Sequence, residues 1–363
     1  MISKRTFLGG VGSLLASPAR AMSSAKAAGF RMPLESEPHE RTFMQWPAIA
    51  SIFGSQADLD AVREKIALIA STIARFEPVV LLARPEQADD ARAWVKNGVE
   101  VWPLEVQDLW CRDSGPTFVV NEAGELAASE LGFNGWGGKQ PHEDDARVVH
   151  RVAEKLNLRI FENGIKGEGG GVEVDGAGTA LAHASSWINP NRNAGTREEV
   201  ETLLLDALGA EKMIWAPGVI GADITDFHID ALARYVKPGQ VFIQLPEKII
   251  DGDPWSASAY ETYDILKNAT DAQGSRLDLV VVPEPLHIRS RAKDFVNSYA
   301  NYYVCNGAVI CAEFGDDKSD EEAARILSQL YPGREIVSLN TDAIGEAGGG
   351  IHCSTQQQPL TIT

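Results

Sequence analysis

The 363-residue chain carries 51 acidic against 33 basic side chains, which gives a net charge of −18 at pH 7. Such a negative field repels nucleic acids and anionic membranes, attracts cationic ligands and also favours solubility, so we expect neither nucleic-acid nor membrane partners. Hydrophobic residues make up 44% and charged residues 23% of the sequence, which predicts a packed globular protein with two average domains or one large one.

The first 21 residues have the order of regions found in an export signal. Ser3 to Leu8 follows the twin-arginine pattern except that Lys4 stands at the first arginine; an apolar stretch from Phe7 to Ala16 and the small-x-small site Ala19-Arg20-Ala21 come next. The apolar stretch is too short to span a bilayer as a helix. We therefore expect residues 1–21 to be a cleaved signal and the protein to be periplasmic or secreted. A disordered tail, and then a cytoplasmic protein, is the alternative.

From about residue 30 the patterns of helix and strand alternate. Six apolar residues spaced three or four positions apart predict an amphipathic helix that ends before Pro78: Leu59, Val62, Ile66, Ile69, Ile73 and Phe76. Further predicted elements are strands over 79–82, 99–104 and 117–120, a helix from Pro85 to Gly98, a helix capped by Thr196 and running to Leu208, a hairpin around Asn306-Gly307, a helix over 320–330 and a strand near 336. This is a mixed α/β pattern. Because no low-complexity linker divides it, we expect a single catalytic domain over residues 30–363.

A cysteine near the end of the chain is the strongest candidate for a nucleophile. Cys353 follows three adjacent glycines, Gly348 to Gly350, which are easiest to explain where the backbone passes close to another group. A thiol presented there can attack a bound substrate, although an isolated cysteine is more often a small buried hydrophobe. The four cysteines contain no CxxC pair, so they predict neither a zinc site nor a dense disulfide framework.

Two upstream clusters supply carboxylates. Asp113 lies three residues after Trp110, which combines an acid with a ring suited to a cation. Its position before Ser114-Gly115-Pro116 is also typical of a simple turn residue. Glu168 precedes three glycines and is weak support by itself. These acids indicate a functional site only in combination with Cys353 and the histidine cluster described next.

A third cluster supplies the histidine. In an extended chain His228 and Asp230 point to the same face, and Asp226 joins them if the strand is regular. The pair suits a metal half-site, acid/base work or a purely structural histidine–carboxylate contact. No further histidine or cysteine stands at metal-ligand spacing, and no phosphate-binding glycine loop follows a strand. A thiol, a histidine and several carboxylates together favour attack on a cationic carbon, because the carboxylates bind the cation and the cation favours the thiolate.

The ordered motifs resemble the agmatine deiminase and bacterial peptidylarginine deiminase family of guanidino-group-modifying enzymes. The matching segments cover nearly the whole chain after the predicted signal: Glu37-Pro38-His39-Glu40-Arg41-Thr42, Trp46-Pro47, Trp110-x-Arg112-Asp113-x-Gly115-Pro116, Glu168-Gly169-Gly170, Asn189-Pro190-x-Arg192-Asn193, His228-x-Asp230, Ser298-Tyr299-x-Asn301 and Gly349-Gly350-Ile351-His352-Cys353-x-Thr355-Gln356-Gln357. The resemblance implies the pentein fold, an α/β propeller of about five βαβ modules around a central site. This agrees with the alternation of predicted elements.

The resemblance also implies a role for each matching residue: Cys353 as nucleophile, His228 as general acid/base, Asp113 and Asp230 as the carboxylates that bind the guanidinium, Glu168 as the acid that orients the histidine, Trp110 as an aromatic wall, and Asn301 as a weaker substrate-binding candidate. The implied reaction converts agmatine and water to N-carbamoylputrescine and ammonia through a covalent thiouronium, as in putrescine and polyamine biosynthesis. It requires no metal and no organic cofactor, and its partner is a small cationic guanidino compound.

Two departures from the family pattern put the substrate in question. The family commonly has an acid four positions before the histidine and a glycine one position before it, where this sequence has Ile224 and Phe227. The alternatives are a deiminase of peptidyl or free arginine that yields citrulline, an amidinotransferase, and an exported guanidine-binding protein. Free or C-terminal arginine would require a cationic clamp for its carboxylate, and a binding protein would need no thiol. The sequence leaves oligomeric state open, a homo-oligomer included.

Overall fold

The computed structural model describes residues 24–361, so the predicted signal over residues 1–21 lies outside the described residues and stays a prediction. Within this range the strands form five separate small sheets of three or four strands each. The strands span Phe30–Arg31, His39–Gln45, Val79–Ala83, Val99–Pro103, Thr117–Asn121, Leu126–Glu130, Arg159–Glu162, Val172–Val174, Thr179–His183, Lys212–Ala216, Ala233–Lys237, Gln240–Leu245, Asp278–Pro283, Tyr303–Cys305, Ala308–Ala312, Glu335–Leu339 and Thr355–Pro359.

Helices connect the parallel neighbouring strands within each sheet. The α-helices described are Ala50–Phe53, Gln56–Ile73, Ala88–Trp94, Cys111–Ser114, Gly135–Gly138, Val148–Leu156, Ala184–Trp187, Arg197–Leu208, Pro254–Asn268, Asp317–Leu330 and Asp342–Glu346. Short 3₁₀ turns span Lys26–Ala28, Pro85–Gln87, Asp145–Arg147, Gly169–Gly171 and Ile229–Ala231. None of the helices in residues 24–361 has both the length and the apolar character that a membrane span requires.

The five sheets repeat one unit, which we call a blade. In the third blade Val172–Val174 pairs antiparallel with Thr179–His183, which in turn runs parallel to Lys212–Ala216. Parallel neighbours need a crossover, and the helix Arg197–Leu208 provides it. The other four blades have the same antiparallel-then-parallel order. This repetition confirms the predicted propeller of five βαβ modules.

The two ends of the described chain meet in the first blade. Its antiparallel pair consists of the last strand, Thr355–Pro359, and the early strand His39–Gln45. The parallel third strand, Val79–Ala83, is buried along its whole length, as expected for an apolar run covered on both faces. Closure by the last strand also fixes the position of Cys353, which lies two residues before that strand begins.

Local sequence signals account for the helices. The helix Gln56–Ile73 buries five residues of the predicted apolar stripe but ends before the sixth, Phe76, which is partly buried in the following turn. Thr196 caps Arg197–Leu208 in a capping box with Glu199. Two further helices depart from their predicted bounds. The segment opened by Pro85 begins as a 3₁₀ turn and its α-helix ends at Trp94, four residues before Gly98. The helix predicted over 320–330 begins at Asp317, because the side chain of Asp316 caps it by accepting the backbone N–H of Ser319.

The turn that precedes the first strand of each blade faces the centre of the molecule. Backbone contacts join these turns: the N–H of Arg112 donates to the carbonyl of Cys353, and the N–H of His352 donates to the carbonyl of Asn301. The N–H of Gly170 donates to the side chain of Asp113. Each blade therefore delivers polar side chains to one central point, although the residues lie far apart in the sequence.

Candidate active site

The partly buried thiol of Cys353 lies at this central point. The glycines before it are required by close packing, as the sequence predicts. A Cβ atom on Gly349 would collide with the indole of Trp110, and one on Gly350 would collide with the side-chain oxygen of Asn301. Their absence of side chains allows the chain to pass between Trp110 and Asn301 and to present the sulfur.

The amide of Asn301 contacts both the thiol and the backbone of Cys353. Its Nδ2 donates to Cys353 Sγ at 3.1 Å, and its Oδ1 accepts the backbone N–H of Cys353 at 3.2 Å. Asp230 Oδ2 lies 3.5 Å from the same sulfur. Because the donor faces sulfur, Asn301 is placed to stabilise a thiolate, and the motif that was the weaker candidate in the sequence directly contacts the nucleophile.

Two fully buried carboxylates flank the thiol. Asp113 accepts the indole N–H of Trp136 at 2.9 Å and the backbone N–H of Gly170 at 3.0 Å. Asp230 Oδ2 accepts from His352 Nδ1 at 2.7 Å, whereas its Oδ1 has no hydrogen-bond partner among the described residues. A buried carboxylate oxygen without a donor is costly unless a ligand supplies one, and a guanidinium offers several N–H groups in one plane.

Gly170 separates these groups from the histidine. A Cβ atom at this glycine would lie 2.8 Å from His228 Nδ1, 2.9 Å from Asp113 Oδ1 and 3.0 Å from Asp230 Oδ2. Any other residue would therefore push the two carboxylates and the imidazole apart. The glycine run after Glu168 is explained by this approach.

His228 is buried between two acids. Its Nδ1 lies 3.7 Å from Asp113 Oδ1, and its Nε2 lies 3.2 Å from Glu168 Oε2. Glu168 is itself held by Arg192, whose Nε lies 2.9 Å from both carboxylate oxygens. Asp226 accepts from the same guanidinium at 2.8 Å. A chain of charged contacts thus runs from Asp226 through Arg192 and Glu168 to the ring of His228.

The charges around the site shift three pKa values. Burial acts to lower the pKa of His228, but Asp113, Glu168 and Asp230 outweigh it and raise this pKa to about 9. Burial raises the pKa of Asp113 to about 6, with His228 opposing the rise and Asp230 adding to it. Burial and the charges of Asp230 and Asp113 raise the pKa of Cys353 well above its usual range. Near pH 7 without a ligand, the site therefore contains a thiol, an imidazolium and ionised carboxylates.

The turn before His228 corrects one prediction. Asp226 does not share a face with His228 and Asp230, because the segment is not an extended strand: Asp226 and Phe227 have φ of 60° and 70°. Left-handed backbone is costly for a bulky residue, and the surroundings compensate. The carbonyl of Phe227 accepts from His183 Nδ1 at 2.8 Å, and the two rings pack 4.6 Å apart. The glycine that the family commonly has at this position suits the same geometry.

A network of buried charged side chains holds the site residues in position. Glu35 accepts from Arg112 at 2.9 Å and from Arg234 at 3.0 Å through different oxygens. It also lies 2.8 Å from His352 Nε2, so this ring bridges Glu35 and Asp230. The network fixes the side chain of Asp230 with one oxygen engaged and the other open.

The site opens into a cavity of about 890 Å³. Trp110 and Trp136 form its aromatic walls near the thiol, together with Phe227. Ile224 lies on the wall with 37% of its surface exposed, so both departures from the family pattern face the cavity. The predicted wall role of Trp110 fits this placement.

A possible cation-binding group lies elsewhere. Among the residues from 24 to 361, the three potential metal ligands that lie within 4.8 Å of one another are Glu130, His150 and Glu162, on the second blade. None of the three lines the cavity.

All seven residues singled out from the sequence lie at this centre: Trp110, Asp113, Glu168, His228, Asp230, Asn301 and Cys353. Sequence reasoning missed three neighbours, Trp136, Arg192 and His352. The segment around Arg192 shows no obvious chemistry in the sequence. His352 directly precedes the nucleophile, but no separate role was predicted for it. Trp136 carried a usable signal, since an aromatic residue within Gly135-Trp136-Gly137-Gly138 is unusual, and the positive φ of all three glycines shows why the turn uses them.

Comparison with known proteins gives matches over more than nine tenths of the chain. A sequence profile of the Porphyromonas-type peptidyl-arginine deiminase family matches residues 31–359. A Streptomyces coelicolor protein provisionally named agmatine deiminase is 38% identical over 340 residues, covering 92% of this chain and 99% of its own. The agmatine deiminase of Pseudomonas aeruginosa strain LESB58 is 34% identical over 363 residues, covering 93% and 97%. The solved agmatine deiminase of Enterococcus faecalis superposes with a TM-score of 0.86 at 29% identity, covering 94% and 98%.

Proposed function

The chain belongs to the Porphyromonas-type peptidyl-arginine deiminase family, and from this premise we propose that it hydrolyses the terminal C–N bond of agmatine. The observation that carries the proposal is the position of Cys353 Sγ, 3.5 Å from Asp230 and in one buried centre with Asp113 and His228. The relatives named above support agmatine as the substrate. The product is N-carbamoylputrescine.

Binding and activation of the thiol are coupled in this site. The guanidinium lies between Asp113 and Asp230, and the open Oδ1 of Asp230 accepts one of its N–H groups. Its positive charge offsets the carboxylates that raise the pKa of Cys353, so the thiol loses its proton to solvent when the substrate arrives. The N–H of Asn301 then stabilises the sulfur anion.

The first half of the reaction forms a C–S bond. The Cys353 thiolate attacks the guanidinium carbon, and the π electrons of the C=N bond move to nitrogen. His228, protonated because its pKa is about 9, donates a proton to one terminal amino group. The C–N bond breaks, ammonia leaves, and a thiouronium cation remains on the sulfur between Asp113 and Asp230.

The second half breaks the C–S bond. His228, now neutral, takes a proton from water, and the hydroxide oxygen attacks the thiouronium carbon. Collapse of this intermediate expels the sulfur and leaves the ureido product, with the remaining hydroxyl proton passing to the sulfur. Overall, one guanidinium and one water give one ureido compound and one ammonium ion. Glu168 and Arg192 orient the ring of His228 through both halves.

The charges of the cavity favour agmatine over free arginine. Free arginine carries a carboxylate that would need a cationic partner in the wall. Lys293 is the single lysine among the lining residues of the described chain, and none of those residues is an arginine. Several acids share the wall with it. A negative wall repels a carboxylate and attracts the amine of agmatine.

A product assay tests the proposal. We expect purified protein to release ammonia and N-carbamoylputrescine from agmatine, in equal amounts, and to release less citrulline from free arginine or short arginine peptides at the same concentration. Excess EDTA should leave the rate unchanged, because the thiol route does not use a metal. Higher kcat/KM for an arginine substrate would assign the protein to the peptidyl or free arginine activity, and transfer of the amidino group to an added amine would assign it to the amidinotransferases.

The value of kcat/KM should rise with pH up to about 9 and then level off, because the free enzyme contains Cys353 as a thiol that has to lose a proton before it attacks. The rise should be steepest below about pH 6. As pH falls through the raised pKa of Asp113, about 6, its carboxylate gains a proton and binds the guanidinium less well. As pH rises through the raised pKa of His228, about 9, the free enzyme loses the acid that protonates ammonia. Initial rates at low agmatine concentration measure this profile. A kcat/KM that keeps rising above pH 9 would contradict the role of His228 as the acid.

A further inference from the structure

The cavity is larger and more acidic than agmatine requires. Its volume of about 890 Å³ lies near the upper end of the range of roughly 300–1,000 Å³ that holds drug-sized ligands. Away from the reacting centre its walls include seven carboxylates that the mechanism does not use: Asp58, Asp108, Asp223, Asp253, Glu284, Asp294 and Glu346. None of the seven takes part in an ion pair within the described part of the chain.

Two of these acids line the cavity from the fourth blade. Asp253 caps the helix Pro254–Asn268 by accepting the backbone N–H groups of Trp255 and Ser256. Glu284 follows the strand Asp278–Pro283 and is partly buried. Burial raises the pKa of Glu284, a hydrogen bond from Gln244 opposes the rise, and the charge of Asp253 adds to it. Two carboxylates that repel each other at a cavity wall create a place where a cation is favoured.

Two further observations point to a ligand in the same cavity. Trp255 lines it with 38% of its surface exposed, and an indole face attracts an ammonium group. At the reacting end, fully buried Asp230 lines the cavity with an oxygen that has no partner in residues 24–361. The cavity therefore offers cation-binding groups both at the thiol and at a wall that the mechanism does not reach.

We propose that the enzyme acts on guanidino polyamines longer than agmatine, with Asp253, Glu284 and Trp255 binding the additional amine. This inference rests on the proposed deiminase function, since the guanidinium has to lie at Cys353. A chain with a second amine uses more of the cavity and places a second positive charge against the unpaired acids. A peptide that ends in arginine could fill the same volume, but its terminal carboxylate would meet a wall with one lysine among several acids.

Three probes test the proposal: agmatine, agmatine extended by an aminopropyl group on its amine, and n-butylguanidine, which has no amine. We expect kcat/KM of the wild-type enzyme to be at least about tenfold higher for the extended compound than for agmatine, and lowest for n-butylguanidine. Equal or lower kcat/KM for the extended compound, or a higher value for an arginine peptide, would overturn the proposal.

Charge-neutral variants locate the amine. In the double variant Asp253→Asn, Glu284→Gln the ratio of kcat/KM for the extended compound over agmatine should fall to about one, because asparagine retains the helix cap while both charges are lost. The control Glu261→Gln removes a charge from the exposed face of the same helix, outside this cavity, and should leave the ratio unchanged. An unchanged ratio in the double variant would overturn the assignment of the subsite.

The assay distinguishes a wrong reaction from a wrong substrate length. If none of the guanidines yields a ureido product, the proposed function is wrong. If agmatine is hydrolysed and the extended compound is not preferred, only the inference about the longer substrate is wrong. Ammonia release, measured for all probes in one assay, distinguishes the two results.

Discussion

The variant Cys353→Ser is expected to abolish turnover of agmatine, with a loss on the order of 10³-fold or more in kcat. The serine hydroxyl has a much higher pKa than a thiol, and the carboxylates Asp230 and Asp113 oppose an anion at this position even for sulfur. The fold should persist, because the change removes one partly buried sulfur and keeps the backbone contacts of Cys353 with Asn301 and Arg112. Ammonia release and the thermal unfolding midpoint measure the two effects.

A second cysteine provides the matched control. Cys311 is buried in the strand Ala308–Ala312, and its Sγ contacts Ser338 outside the cavity. Cys311→Ser should retain turnover, although its stability is reduced. Mass spectrometry of acid-quenched wild-type enzyme should detect a thiouronium adduct that is absent from Cys353→Ser. Substantial activity of the serine variant would contradict covalent catalysis and favour metal-assisted hydrolysis.

The sequence predicts the reacting groups better than the residues that position them. Cys353, His228 and the acids stand in short segments whose residue types already indicate chemistry. Arg192 acts only through Glu168, 24 residues earlier in the chain, and nothing in its own segment indicates that partner. Glu35 contacts His352 across 317 positions. Such long-range pairs depend on the five turns converging, which local patterns do not reveal.

The wrong placement of Asp226 has a specific cause. Side chains two residues apart point to the same face only in an extended backbone, whereas two consecutive non-glycine residues here have positive φ. Four donors stabilise the unusual turn through the side chain of Asp226: Lys139, Arg192, Asn191 and the backbone N–H of Gly221. Those contacts belong to tertiary structure. The strands and helices were predictable because their apolar spacing and caps are local.

Replacing either guanidinium-binding carboxylate by its amide is expected to lower kcat/KM by about 2 kcal/mol or more, which is about 30-fold. Each variant removes one charge-assisted contact to the substrate and reduces the coupling between binding and thiolate formation. Asp230→Asn is the cleaner test. The asparagine oxygen can accept from His352 while its amide takes the place of the unpaired Oδ1, so little stability should be lost.

Asp113→Asn should show two additional effects. Both oxygens of Asp113 accept hydrogen bonds, from Trp136 and Gly170, so an amide leaves one donor unpaired and costs about 1–3 kcal/mol of unfolding free energy. The charge of Asp113 is also the main contribution that raises the pKa of His228 against burial. Its loss should therefore move the break in the pH profile of kcat/KM below about 9, whereas a purely structural defect would lower activity without moving that break.

A buried aspartate outside the cavity is the control for both variants. Asp175 accepts the backbone N–H groups of Ala177 and Thr179 through one oxygen, which an asparagine can also do. Asp175→Asn should keep kcat/KM within about threefold of wild type. If Asp113→Asn and Asp230→Asn behave like this control, the two carboxylates do not bind the substrate. The proposal of a cationic guanidine substrate would then lose its support. In that proposal the cation offsets the acidic groups that raise the pKa of the thiol.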